Sequence, residues 1–227
     1  MDYRHELKYE VNDFQMQLIK ARLLPIMQMD KHQNGDYYTI TSLYFDDVYN
    51  SCMAENISGT DRRNKYRIRM YDHRTSLIHL EKKIKFRGMT RKESIQLKLQ
   101  DCEKFVKGKI PFPTEKDTDE RKILLSEMTM SGMQPKIIVE YDRTAFVCPQ
   151  GNVRITFDRN VRSSMKVADF LKEHTVKQPV MLQSNHILEI KYDEFLPEYI
   201  SDVISIGMLK RATYSKYYRA RKGGIIL

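Results

Sequence analysis

Residues 65–71 read Lys-Tyr-Arg-Ile-Arg-Met-Tyr, and residues 80–86 read Leu-Glu-Lys-Lys-Ile-Lys-Phe. In both stretches charged and apolar residues alternate with a period of two, which predicts β-strands. Side chains two residues apart on a strand point to the same side of a sheet. The residues that share a face by this parity are Lys65, Arg67 and Arg69 on the first strand and Glu81, Lys83 and Lys85 on the second. One face of the sheet is therefore predicted to be densely charged.

The same alternation recurs along most of the chain, in segments separated by polar or Gly- and Pro-containing breaks. Several segments lie only a few residues apart, which favours antiparallel hairpins over parallel crossovers. The eight predicted strands are residues 4–11, 39–46, 64–71, 77–86, 90–97, 136–147, 153–158 and 186–192. The sequence thus predicts a largely antiparallel fold.

The longer gaps between strands predict helices. Asn12 is a suitable N-cap, and Phe14, Leu18 and Ala21 follow at spacings of four and three. This helix is expected to end before Pro25, because the residue ahead of a proline avoids the helical region. Further helices are predicted over residues 97–106, 120–130, 166–173 and 198–209, and loops over 30–36 and 111–119. The result is an α+β fold in a single domain spanning residues 1–227.

Nearly every predicted strand carries long charged side chains on one face. Besides the two opening strands, these residues are Arg4, Glu6, Lys8 and Glu10, then Lys92, then Arg154 with Asp158, and Glu189 with Lys191. The strand over 136–147 offers two alternatives: Glu140 with Asp142, or, after a bulge, Tyr141 with Arg143. Two arrangements explain this repetition, an open sheet with one wet face or a barrel with its charged face inward.

A barrel of this kind would enclose clustered cations, which repel one another and lose hydration at several kcal/mol per ion. The cluster would therefore need an anion. Phosphates fit, because arginine presents a planar fork of donors to phosphoryl oxygens and lysine supplies a point charge. The interspersed Glu6, Glu81 and Glu189 are suited to Mg²⁺ or Mn²⁺, which bridges phosphate oxygens. The charge pattern predicts a metal–triphosphate site.

The composition is consistent with a folded domain that attracts anions. The 227 residues include 39 Lys and Arg against 30 Asp and Glu, a net charge of +9 that favours phosphate-rich partners or an anionic membrane surface. No run approaches the roughly 18 apolar residues of a membrane span. Cys52, Cys102 and Cys148 form no Cys-x-x-Cys pair, so a reducing cytoplasm is expected. The six scattered histidines give no zinc or Ser/His/Asp pattern.

Eight short segments, in order, resemble the catalytic domain of the vacuolar transporter chaperone (VTC) polyphosphate polymerases. They are Glu6–Tyr9, Ser42–Asp46, Lys65–Tyr71, Leu80–Lys83, Tyr141–Phe146, Val153–Asp158, Leu188–Lys191 and Tyr214–Tyr217. The wider group is the triphosphate tunnel metalloenzymes. The resemblance implies an antiparallel eight-stranded β-barrel with flanking helices around a charged tunnel. It is to the stand-alone bacterial form, because the phosphate-sensing domain and membrane segment of eukaryotic members are not found in this sequence.

The resemblance also implies roles for individual residues. The residues implied to hold the nucleotide triphosphate and the phosphate chain are Lys8, Arg67, Arg69, Lys83, Arg143, Arg154 and Lys216. Glu189 matches the metal-binding glutamate, and Glu6 and Glu81 lie where related proteins often place acidic residues. The resemblance implies a further tunnel lysine, which strand parity identifies as Lys92. Lys85, Lys191 and Asp158 are expected to line the same space.

The implied activity is a Mn²⁺- or Mg²⁺-dependent phosphotransferase that adds the γ-phosphoryl group of ATP to inorganic polyphosphate. ATP and polyphosphate are its expected partners, and no specific nucleic acid is expected. Two alternatives remain. The same cage would hydrolyse tripolyphosphate or a nucleoside triphosphate if water were the acceptor. A non-catalytic module would instead bind RNA or polyphosphate on an open basic sheet, with bases stacked on exposed aromatic residues.

Overall fold

The structure is a computed structural model that describes residues 3–33, 35–207 and 209–223. All eight predicted strands are present, and the strand predicted over 153–158 continues to Ser164. Three strands of two residues each were not predicted. The strands are β1 (His5–Asn12), β2 (Gln28–Met29), β3 (Tyr38–Asp46), β4 (Arg63–Tyr71), β5 (Ile78–Phe86), β6 (Met89–Leu97), β7 (Gln134–Cys148), β8 (Val153–Ser164), β9 (Gln178–Pro179), β10 (Asn185–Tyr192) and β11 (Lys210–Arg211).

The strands form one antiparallel sheet that curls into a barrel. Their order is β11-β1-β10-β8-β7-β3-β4-β5-β6, with β2 beside β7 and β9 beside β8. Arg4, just before β1, pairs with Thr90 of β6 through two backbone hydrogen bonds of 2.9 Å. This pair connects the β1 end of the sheet to β6 at the other end, so that the curled sheet surrounds a space. The predicted curled antiparallel sheet with flanking helices is confirmed, but its main path has nine strands and not the predicted eight.

Four of the predicted helices are present, two further helices were not predicted, and one prediction is wrong. The helices are α1 (Asp13–Leu23), α2 (Ser51–Ser58), α3 (Leu99–Val106), α4 (Asp119–Met130), α5 (Glu198–Ile204) and α6 (Lys216–Arg221). The segment predicted as a helix over 166–173 contains only a 3₁₀ turn at Val167–Asp169, because its backbone hydrogen bonds span three residues. Helix α5 ends at Ile204 and does not extend to residue 209.

Helix α1 begins as predicted but buries a different face. Asn12 caps it in a reciprocal pair with Gln15, at 2.9 and 3.0 Å. The buried residues are Met16, Ile19 and Leu23, whereas Phe14 is 74% exposed. The spacing of Phe14 with Leu18 and Ala21 therefore did not identify the core face.

The helices that pack on the barrel cover its outer face. Helices α3 and α4 bury residues such as Phe105 and Leu125 in the cluster that contains Leu80 of β5. Ile19 of α1 and Ile200 of α5 belong to a second cluster with strands β8 and β10. Because apolar side chains point outward to these helices, the alternating charged side chains point inward. Within the described part of the chain, no helix is both long and apolar enough to cross a membrane.

Candidate active site

The inner face of the barrel lines a cavity of about 1240 Å³. Seventeen Lys and Arg side chains but only five Asp and Glu side chains of the described residues border it. The whole chain has 39 against 30, so the positive excess at this cavity is larger than that of the entire chain. Twelve of the predicted site residues lie on its wall: Glu6, Lys8, Arg67, Arg69, Lys83, Lys85, Lys92, Arg143, Arg154, Glu189, Lys191 and Lys216. The charged strands therefore converge on one shared cavity.

A bulge decides which residues of β7 enter the cavity. The pairing between β7 and β8 shifts between Glu140 and Asp142. Tyr141 and Arg143 line the cavity, as the second of the two predicted registers requires. Glu140 lies on the opposite face, where Arg162 Nε donates to it at 2.8 Å. The alternative that placed Glu140 and Asp142 inside is wrong, because the bulge changes the parity of the strand.

Glu81 holds a group of three cations in the wall of the cavity. Arg67 donates to its carboxylate from Nε at 2.8 Å and lies within 2.7 Å through Nη2, and Lys92 Nζ lies 2.9 Å away. Arg69 Nη1 is 3.8 Å away. Burial raises the pKa of Glu81, but Arg69, Arg67 and Lys92 outweigh it and hold that pKa well below its usual value. Glu81 stays ionised and fixes the positions of the two guanidinium groups.

Two tyrosines complete this arrangement: Tyr44, which was not predicted as a site residue, and Tyr141, which one of the two predicted registers placed on this face. Arg67 Nη1 donates to the Tyr44 hydroxyl at 3.2 Å, and Arg69 Nη2 donates to the Tyr141 hydroxyl at 3.0 Å. Each guanidinium is thus tethered by a phenol in addition to Glu81. An arginine held on several sides loses little freedom when it binds an anion, so the pair is preorganised.

Glu6 and Glu189 form a second centre, on neighbouring strands β1 and β10. Both carboxylates contact Lys8 Nζ, at 3.3 and 3.2 Å. Lys83 donates to both oxygens of Glu6 at 2.7 and 2.6 Å, and Lys191 lies 2.6 Å from Glu189. Burial raises the pKa of Glu6, but Lys8 and Lys83 outweigh it and lower that pKa to about 2. Two ionised carboxylates therefore face one cation.

This pair has the donor set that a divalent metal needs from the protein. Mg²⁺ is commonly held by one or two carboxylates plus substrate phosphates, and the Lys8 ammonium already lies between Glu6 and Glu189. No group of three or more His, Cys, Asp and Glu side chains suited to a metal occurs among the residues that the structure describes. Glu81 is separate from the pair, since the ion pairs of its carboxylate among the described residues are with Arg67, Arg69 and Lys92. The residues fit a metal that shares its remaining positions with phosphate oxygens.

Asp158, which was predicted to line the cavity, does not border it but pairs with two cations that do. Arg143 donates to both of its oxygens, at 2.6 and 2.7 Å, and Lys216 of α6 contacts the same carboxylate. Asp158 is completely buried. Burial raises its pKa, but Arg143 and Lys216 lower it to about 2. Helix α6 is further held by Tyr217, which stacks on Tyr44 at 5.2 Å between ring centroids.

Arg154 forms an ion pair with Asp30, a residue of the loop predicted over 30–36. The Tyr38 hydroxyl accepts from Arg154 Nη2 at 3.1 Å. Asp30 was not predicted as a site residue because its segment has no periodicity that would assign it a direction. Arg154 is therefore held at the cavity wall from two sides.

Comparisons with known proteins agree with this architecture. The sequence model of the VTC domain family matches residues 3–223. No curated protein matches the chain at a significant level. A putative adenylyl cyclase from Hippeastrum, described as having a dominant triphosphatase activity, is 13% identical with a TM-score of 0.55 over 100% of this chain and 98% of that one.

Two bacterial structures are similar to the same extent. A putative adenylate cyclase from Bacillus halodurans is 14% identical with a TM-score of 0.53, over 96% of this chain and 98% of that one. Another from Vibrio parahaemolyticus is 12% identical with a TM-score of 0.51, over 96% and 97%. At these identities the similarity is one of fold only, a curled antiparallel sheet.

Proposed function

This chain belongs to the VTC domain family, and from that membership we propose that it is a metal-dependent polyphosphate polymerase. It would transfer the γ-phosphoryl group of ATP to the end of an inorganic polyphosphate chain and release ADP. The observation that carries the proposal is the enclosed cavity with 17 cationic and five acidic side chains among the described residues. A polymer of phosphates is the occupant that balances such a charge. We place the reaction in the cytoplasm, where ATP is available and the three free thiols stay reduced.

The donor triphosphate is assigned to Arg67, Arg69 and Lys83. The two guanidinium groups are tethered by Glu81 and by tyrosine hydroxyls, so both are held in place at the cavity wall. Phosphoryl transfer spreads charge over the equatorial oxygens of the transferred group, and fixed cations stabilise that charge without reorganising. Lys8, Lys85, Lys92 and Lys191 supply further positive charge on the same wall.

The acceptor chain is assigned to Arg143, Arg154 and Lys216. These three cations lie on β7, β8 and α6 and border the same cavity as the donor residues. A terminal oxygen of the chain would attack the γ-phosphorus as the bond to the β,γ-bridging oxygen breaks. The polymer gains one phosphate and ADP leaves. No protein nucleophile is needed, so the protein's task is to position both substrates in line.

Glu189 and Glu6 would hold the metal ion, Mg²⁺ or Mn²⁺. When bound, the ion would supply positive charge that offsets the negative charge of the phosphates. The residues Lys8, Lys83 and Lys191 keep both carboxylates ionised and oriented. Lys8 contacts both carboxylates and borders the cavity, where it would offer its positive charge to a phosphate oxygen.

Product analysis tests the proposal directly. The purified protein is incubated with ATP and Mn²⁺, and phosphate chains are resolved by length on a gel. Long chains together with ADP would support a polymerase. Free phosphate alone would identify a triphosphatase, in which water is the acceptor in the same cavity. No metal-dependent turnover of ATP at all would favour a non-catalytic module that binds polyphosphate or RNA.

Glu189→Gln should weaken the metal dependence of the reaction. The substitution keeps the size of the side chain but removes one of the two carboxylates that face Lys8. We expect the Mn²⁺ concentration for half-maximal activity to rise about tenfold or more, by analogy with the effects of weakening metal sites. Mn²⁺ binding measured by electron paramagnetic resonance should weaken in parallel.

The matched control is Glu127→Gln, which removes an outer-face carboxylate that pairs with Lys82 at 2.6 Å. It should leave the Mn²⁺ dependence unchanged. If Glu189→Gln and Glu127→Gln bind Mn²⁺ equally well, the assignment of Glu189 as a ligand is wrong.

A further inference from the structure

Lys65 differs from the neighbouring Lys8 and Lys83 in the partners of its ammonium group. Its Nζ donates to Asn56 Oδ1 of α2 and to Ser215 Oγ at the start of α6, both at 2.8 Å. Both partners are neutral. Among the residues that the structure describes, no carboxylate forms an ion pair with Lys65, whereas Lys8 and Lys83 each contact at least one glutamate.

The surroundings of Lys65 are cationic. Lys83 lies directly opposite it on β5, Arg63 is two residues away on the same strand, and Lys8 approaches from β1. The Glu6 carboxylate also acts on Lys65, but it is in direct contact with Lys8 and Lys83 instead. Like charges directly opposite on neighbouring strands are destabilising. Burial, and then Lys8 and Lys83, lower the pKa of Lys65 well below its usual value.

The two neutral partners leave donors available beside the lysine. Ser215 Oγ accepts from Lys65 and from the Tyr218 backbone N–H at 3.3 Å, so its own proton is left for a third partner. Asn56 accepts through Oδ1 and retains the two protons of its amide nitrogen. All three side chains border the cavity. An ammonium, a hydroxyl and an amide thus meet at one point of the wall, with no negative charge of their own.

We propose that Lys65, Asn56 and Ser215 form an additional phosphate-binding subsite, which holds one unit of the polyphosphate chain beyond those held by the arginines. The inference rests on the proposed function, since it takes the same polymer as the ligand. A phosphate unit offers several acceptor oxygens and the charge that this point lacks. Occupation of the subsite would also join α2 to α6 through the ligand.

Binding of phosphate chains by calorimetry, with no nucleotide present, tests the subsite. Wild-type protein is compared with Lys65→Met, which keeps the length of the side chain, and with Lys65→Arg, which keeps its charge. The probes are inorganic phosphate, tripolyphosphate and a longer polyphosphate. We expect Lys65→Met to lower the affinity for the longer chain about tenfold, the cost of one charged hydrogen-bonded contact. Lys65→Arg should recover most of the affinity.

Lys172→Met is the control for the loss of one positive charge. Lys172 is exposed, outside the cavity, and pairs with Asp169 at 2.7 Å. Equal weakening by Lys65→Met and Lys172→Met would overturn the subsite, because it would indicate a general charge effect. So would a Lys65→Met protein that binds the longer chain like wild type. Weakening confined to inorganic phosphate would overturn it as a chain subsite.

Two further outcomes separate the subsite from the proposed function. If wild type binds the chain and Lys65→Met weakens binding, but ATP yields only free phosphate, the subsite stands and the polymerase assignment fails. If Lys65→Met does not fold, as judged by thermal unfolding, Ser215→Ala and Asn56→Ala replace it. Each of these should lower chain affinity by a few-fold, the cost of one neutral hydrogen bond, and wild-type affinity in both would overturn the subsite.

Discussion

Arg67→Ala should reduce chain synthesis from ATP by about 10²- to 10³-fold, the cost of removing a preorganised group that stabilises transition-state charge. Arg67 is held at the cavity wall by two side chains. Its guanidinium contacts Glu81 at 2.8 and 2.7 Å and the Tyr44 hydroxyl at 3.2 Å. The loss should appear mainly in kcat, because the fixed charge acts on the phosphoryl group in transit more than on the bound substrate. Steady-state kinetics with a chain-length gel measures both quantities.

Arg67→Lys is the informative companion. It retains a positive charge but cannot donate to Glu81 and to Tyr44 with the same planar group, since lysine presents a point charge. We expect activity between those of wild type and Arg67→Ala. Thermal unfolding should be compared for all three proteins, because removing Arg67 leaves Glu81 with Lys92 at 2.9 Å and Arg69 at 3.8 Å. Full activity in a folded Arg67→Ala protein would remove Arg67 from the donor site.

The alternation of residue types along each strand predicted the charged face, because successive side chains of a strand point to opposite faces whatever strands lie beside it. Lys65, Arg67 and Arg69 do line one space together with Glu6 and Lys83. This alternation cannot distinguish a face exposed to solvent from a face that lines the inside of a barrel. That distinction depends on curvature and on the pairing of Arg4 with Thr90, which are properties of the assembled sheet.

The parts that the sequence did not reveal depend on contacts between distant segments. The bulge at Glu140 exchanges the two faces of β7, and either register was compatible with the residues. Helix α6 has only six residues, too few to be stable alone, and forms where Lys216 meets Asp158 and Tyr217 meets Tyr44. Asp30 came from a loop with no periodic pattern.

Asp158→Asn should lower the free energy of unfolding by about 3–5 kcal/mol, the cost of leaving buried charges unpaired. The substitution preserves the shape of the side chain but removes the charge that Arg143 contacts through two donors and Lys216 through one. Because Asp158 has no exposed surface, water cannot replace that charge. Urea unfolding followed by circular dichroism gives the difference between the two proteins.

The difference in unfolding free energy between wild type and Asp158→Asn should decrease in acid. A carboxylate whose pKa is lowered to about 2 in the folded protein stabilises it at pH values above the unfolded value of about 3.9. That contribution is lost as the pH falls from about 4 toward 2, because the folded state must then take up the proton. The gap between wild type and Asp158→Asn should therefore narrow across this range.

Asp193→Asn provides the matched control at the rim of the same cavity. Asp193 also pairs with an arginine, at 2.6 Å from Arg4 Nε, but 43% of its side chain is exposed. Solvent screens that pair, so its loss should cost no more than about 1 kcal/mol. Equal destabilisation by the two substitutions would mean that Asp158 is not a buried counter-charge. The contacts of Asp158 with Arg143 and Lys216 would then add little to stability. Another group would have to offset the repulsion between these two cations.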